Sequence, residues 1–115
     1  GQFVACDYVG IVSGNKVADK FARAGFHATR SEFVDAPLID ELSVTVECRL
    51  KDYNPETSIL RGEIVNVSVD ERVLGENGKV DASKVAPIIF DPFNNDYLKV
   101  GEKVGKAFSD GKALK

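Results

Sequence analysis

Not one of the 115 residues is a methionine, and the first is a glycine. A newly made chain begins with methionine unless it is processed. The pattern therefore fits a fragment, a processed product or a tag remnant, and the motifs below favour the fragment. Cysteine is nearly as scarce. Cys6 and Cys48 are too few for a disulfide framework, and a reducing cytoplasm is the expected setting. Cys48 falls on the apolar side of an alternating strand pattern and is expected to be a buried thiol. Cys6 stays open between an exposed thiol and a partner for Cys48. A basic excess is lacking too: 15 Lys and Arg face 18 Asp and Glu, a net charge of −3. That argues against nucleic acid as a partner, because phosphate neutralisation needs clustered cations. No apolar run approaches the ~20 residues of a membrane span, and no signal-peptide pattern opens the chain. No CxxC, HExxH, GxSxG or Walker-type motif occurs, so metal and nucleophilic chemistry have no support. The single histidine, His27, follows a helix in a polar context and is expected in solvent. Asp40 and Glu41 are adjacent, and adjacent carboxylates on a strand do not converge on one reacting centre.

What is present is ordinary for a globular chain, 43% hydrophobic and 29% charged. The length fits a single domain, residues 1–115, with no repeat or linker to divide it. Gly1 to Val12 is apolar without a helical period and reads as a strand or extended entry. Ser13 or Asn15 caps a short helix, in which Val17, Phe21 and Ala24 share a face. Gly25 supplies a left-handed C-terminal residue, and Phe26 folds back on Phe21. His27 to Asp40 reads as irregular, with a turn at Asp35-Ala36-Pro37. Leu42 to Leu50 is the clearest strand: Leu42, Val44, Val46, Cys48 and Leu50 point one way, and Ser43, Thr45, Glu47 and Arg49 the other. After the connection Asn54-Pro55-Glu56, a second strand from Ser58 to Asp70 changes phase. Leu60, Gly62 and Ile64 alternate, and then Val65, Val67 and Val69 do. One extra residue accounts for the shift and predicts a β-bulge between Gly62 and Val65, with Ile64 and Val65 both largely buried. Further on come the turn Glu76-Asn77-Gly78, a helical turn capped by Asp81, a short strand Pro87 to Phe90 ended by Asp91-Pro92, a turn at Asn94-Asn95-Asp96, and a mixed segment from Tyr97 to Phe108. These elements amount to a mainly β, antiparallel chain with one or two short helices.

Two side chains have positions suited to binding. Lys20 lies on the polar side of a helix that opens with Ser13-Gly14-Asn15, near a loop whose amides can meet an anion. A solvated surface lysine carries the same pattern. Phe90, at a strand end, either closes the core or walls a flat ligand.

The blocks DYVGIVSGNKVADKFARAGF (Asp7 to Phe26), VDAPLI (Val34 to Ile39), VECRL (Val46 to Leu50), GEIVNV (Gly62 to Val67), PIIFDP (Pro87 to Pro92) and VGKAF (Val104 to Phe108) follow one another along the chain. Their order and spacing resemble the flavin reductase-like family of flavoredoxin type. The resemblance implies an FMN-binding split barrel of antiparallel Greek-key type, a homodimer with flavin near the subunit interface. It also implies that the first barrel strands, and much of the flavin and phosphate cradle, lie ahead of the segment matched here. Lys20 and Phe90 fall at flavin-side positions, with Ser13 and Gly14 in the adjoining loop. Thr57 stands where flavoredoxin-like members place a histidine. Its hydroxyl can donate a hydrogen bond but carries no charge, which speaks against a histidine-dependent step.

The activity implied is that of an FMN-dependent oxidoreductase, taking reducing equivalents from NAD(P)H or a protein donor. A flavin electron carrier without turnover, and a domain that folds and dimerises without a working flavin site, are the alternatives. The valine-rich stretches 44–46 and 65–69 offer apolar area for a homodimer contact.

Overall fold

A computed structural model, describing residues 2–115, shows three antiparallel two-stranded ribbons joined by short helices and turns. The chain divides into two compact units, Gly1–Val85 and Ala86–Lys115. The mainly β character with few short helices is as expected; the strands form three separate ribbons.

The opening segment corrects the expectation of a strand. Phe3–Ile11 forms helix α1, ending where Val12 turns extended and its N–H meets the Tyr8 carbonyl. None of its residues is buried. A helix apolar around most of its circumference shows no period, so the periodicity test fails on it. The next helix is shorter than expected. Ser13 opens only a turn, its carbonyl accepting from the amides of Lys16 and Val17. Helix α2 itself is Lys20–Arg23, with Asp19 at its start making no side-chain cap. Its end is as read: Gly25 sits at φ +76°, the Gly25 amide meets the Ala22 carbonyl and the Phe26 amide meets that of Phe21. Those bonds with the Phe21–Phe26 ring contact, centroids 5.6 Å apart, make a Schellman motif that buries Phe26.

The stretch expected to be irregular instead pairs β1 (Ala28–Arg30) with β2 (Pro37–Ile39). Three-residue strands are too short to show alternation, and Pro37 is tolerated as the first strand residue. The longest ribbon pairs β3 (Val44–Asn54) with β4 (Ile59–Val69), so the first strand runs past Leu50 to the turn. Glu47 pairs with Asn66 and Cys48 with Ile64, leaving Val65 as the extra residue. The bulge lies inside the expected interval. The burial expectation fails for Ile64, which is 63% exposed, and Val65 is half-buried. Cys48 is likewise exposed, not buried, and both thiols are free. The cause is shared: among the described residues, the apolar side of this ribbon is left largely open.

Asp70 caps the 3₁₀ turn Glu71–Val73, accepting the Arg72 amide, and the Arg72 guanidinium holds the Asp70 carboxyl down at about 2. Val73 is buried. Helix α3, Ala82–Val85, lies against that turn, and Asp81 accepts the Ser83 amide at its start, as expected. In the second unit β5 (Ile88–Asp91) pairs with β6 (Asp96–Lys99); β6 places a strand at the start of the segment read as mixed.

Candidate functional site

Lys20 is the centre of a local cluster in the first unit. Its Nζ donates to the carbonyls of Val9 and Val12, each at 2.9 Å. Val9 is among the last residues of α1, whose carbonyls lack intrahelical partners, and Val12 is its C-cap. A cation there complements the negative end of the helix dipole. The sequence placed Lys20 on a polar face turned to solvent; the structure gives it a structural task as well. An ammonium carries three N–H donors, so one remains after the two carbonyls are served. Gly14 lies beside the same side chain, and a Cβ on it would meet Lys20 Cε at an ordinary 3.7 Å. Ser13 contributes its carbonyl to the intervening turn. Ser13, Gly14 and Lys20 are therefore brought together.

Thr57 occupies the tip of the β3–β4 ribbon. Its contacts are local: the amides of Glu56 and Thr57 both donate to Asn54 Oδ1, and the residue is exposed. Phe90 belongs to the second unit, half open to solvent at 52%, its ring tilted against Tyr97 with centroids 5.9 Å apart.

Two further constellations escaped the sequence reading. Glu41 accepts both the backbone amide and the ring Nδ1 of His27, the latter at 2.6 Å. The Glu41 hydrogen bond raises the His27 pKa, and the His27 amide and ring lower that of Glu41. Pairing Ala28 with Ile39 sets His27 opposite Asp40, the neighbour of Glu41, but such short strands gave no pattern to read. Glu47, 4% exposed, accepts from Ser31 Oγ and from Asn66 Nδ2. Ser31 Oγ in turn accepts the amides of Phe33 and Val34. Alternation placed Glu47 on the side opposite Val46 and Cys48, as it is, but could not show that the Ser31 loop would bury it there. A shallow hollow of about 390 Å³ lies between α1 and α2, lined by Val4, Ala5, Tyr8, Arg23 and Ala24. Arg23 is held by Asp19 at 2.8 Å. Among the described residues no acidic, histidine or cysteine cluster has the arrangement to hold a metal, and no helix is long and apolar enough to cross a membrane.

No protein-family model matches the chain. Flavoredoxin of Desulfovibrio vulgaris (Miyazaki F) is 41% identical, with a TM-score of 0.84 over 93% of this chain and 57% of its own. Flavoredoxin from Methanosarcina acetivorans is 32% identical, with a TM-score of 0.82 over 95% of this chain and 57% of its own. An FMN-binding domain of a flavin reductase-like enzyme from Shewanella baltica OS155, at 17% identity and a TM-score of 0.74, shares the fold over 91% of this chain and 58% of its own. A curated protein of Aquifex aeolicus (strain VF5) is 36% identical over 72 residues, which span 61% of this chain and 37% of that protein. The chain thus spans little more than half the length of the solved structures it matches. Over most of its own length, its structural neighbours are flavoredoxins and a flavin reductase-like FMN-binding domain, the family that its six sequence blocks resemble.

Proposed function

We propose that this chain is a flavin-binding part of an oxidoreductase of flavin reductase or flavoredoxin type, with FMN as its cofactor. The observation that carries the reading is the 41% identity to a flavoredoxin across 93% of the chain at a TM-score of 0.84. In this reading the ribbons contribute to a split barrel, the assembly is a cytoplasmic homodimer, and the electrons come from NAD(P)H or a protein donor.

The residues fit such a group in kind. Within the first unit, Lys20 offers a positive charge and a spare donor, fixed by the α1 carbonyls, and Thr57 offers a hydroxyl. Within the second unit, Phe90 offers a half-open aromatic face. FMN, when bound, supplies hydride and single-electron chemistry, while the protein sets its orientation and surroundings. A lysine favours an anionic partner by Coulomb attraction, more strongly where water is excluded. The geometry of Lys20 adds something to this: because its ammonium is already held, little side-chain freedom is lost on binding.

One charge-assisted contact of about 1.5–3 kcal/mol and one aromatic contact of about 0.5–1.5 kcal/mol fall short of the roughly 8 kcal/mol of a micromolar site. Titration of FMN fluorescence should therefore show weak binding by the 115-residue chain. Lys20→Ala should weaken it by roughly tenfold or more, with Lys20→Arg partly restoring it and Lys112→Ala, near the C-terminus, without effect. An affinity indifferent to Lys20 would return that residue to its helix-capping task alone, and no FMN binding by a chain extended to the length of its flavoredoxin neighbours would overturn the flavin reading.

A further inference from the structure

Helix α1 buries none of its side chains, and polar groups from the first unit hold it at both ends. At its start the Gln2 side-chain amide donates to the backbone carbonyl of Glu41. At its finish the Lys20 ammonium, from the first residue of α2, donates to the carbonyls of Val9 and Val12. Nine residues make a helix that is marginal without such support, so these contacts bear on whether α1 forms at all. The Lys20 contact acts in both directions. The ammonium completes the carbonyls that the helix end leaves without partners, and the helix in turn fixes an otherwise flexible side chain, with one N–H donor still to spare.

We propose that folding of α1 and binding of the cofactor are coupled through Lys20: the formed helix raises the affinity of the ammonium for an anionic group of the flavin, and that group, once bound, stabilises the helix. The inference rests on the flavin reading above and adds to it a means of regulating the same site. With α1 unfolded, Lys20 must give up its rotamer freedom when it meets an anion; with α1 formed, that freedom is already gone. The helix end opposes an anion with the equivalent of roughly half an elementary charge, less than the full charge of the ammonium that caps it. The field at the spare N–H therefore stays attractive, and the fixed side chain decides the sign. Coupling between two equilibria is reciprocal, so α1 and the cofactor each gain from the other by the same factor. Whatever orders or melts α1 then sets how tightly the site holds its ligand.

The test changes α1 without touching the ligand. Gly10 lies within the helix, and a Cβ there would meet nothing within 4 Å, so Gly10→Ala adds helix propensity alone. In FMN titrations of the 115-residue chain it should tighten binding by about twofold to threefold, by populating the competent state. The same change made in Lys20→Ala should have no effect on affinity, because the link is gone. Gly111→Ala, equally open to a Cβ, should be silent in both. Amide exchange supplies the reciprocal reading: millimolar FMN should slow the Cys6 and Val12 amides, which bond to the Gln2 and Tyr8 carbonyls, by about twofold to threefold, and should not do so in Lys20→Ala. Lys20-dependent binding that ignores Gly10→Ala and leaves both amides unchanged would overturn the coupling while the flavin reading stands. Absence of FMN binding by the 115-residue chain at millimolar concentration would overturn the coupling as a property of this chain, and the extended chain described above separates that result from failure of the flavin reading.

Discussion

His27 and Glu41 hold each other at the open end of the β1–β2 ribbon through a backbone and a ring contact, and their charges are linked. The raised His27 pKa means that its contribution is complete below the ordinary value of 6.5 and is lost as pH rises through the folded value. The lowered Glu41 pKa means that its contribution is complete above 4.5 and is lost as pH falls through the folded value. The pair is fully formed between those limits. An NMR titration should place the His27 midpoint above 6.5, and Glu41→Gln should bring it back toward that value. An unchanged midpoint in the variant would detach the shift from Glu41. At this scale the sequence was informative about chemical type and silent about partners. Lys20 was readable as a cation near a loop, yet the carbonyls that hold it belong to a helix that its own pattern concealed. His27 was readable as exposed, and its side chain is 80% accessible; the partner fourteen positions on was not.

The elements show where pattern carries structural information. The Gly25 helix end and the bulge in β4 were legible because each has a local cause, a left-handed residue in one case and a broken alternation in the other. α1 and β1–β2 were not, because a helix apolar all round and a three-residue strand leave no period. The link between elements is harder still to read. The Ser31 loop is tied to the β3–β4 ribbon through the buried Ser31–Glu47 hydrogen bond, and Asn66 steadies the same carboxylate from β4. Ser31→Ala strands a Glu47 oxygen and the amides of Phe33 and Val34 together. It should lower stability by about 1–3 kcal/mol in urea unfolding. A loss no larger than that of a surface serine would show that the loop is held by other contacts.

For the molecule as a whole, the limiting quantity is interior. Among the described residues Phe26 and Val73 are the buried hydrophobics, and no side chain is fully enclosed. The described residues taken alone therefore gain little stability from apolar burial. The chain's stability should then depend on what covers the ribbon. If the homodimer proposed above forms, raising the protein concentration about a hundredfold should raise the melting temperature by roughly 5 °C. A concentration-independent transition would show each chain standing alone. The mainly β class could be read from strand alternation; the bare face could not, because alternation reports which side chains share a side and nothing about what lies over them.

The two bulges of the β3–β4 ribbon, with Val65 extra in β4 and Lys51 extra in β3, also decide how the gene can change length. Deleting Val65 removes a residue that has no partner, so the pairs on both sides of it keep their registers and every neighbouring side chain keeps its side. Lys51 has the same standing in the facing strand. Deleting an ordinary ladder residue such as Ser68 instead inverts the strand from that point onward, until the slack at Val65 is drawn in to absorb the loss. Each strand thus holds one residue in reserve, and in-frame deletions within the ribbon should survive where they fall on, or can be taken up by, those two codons.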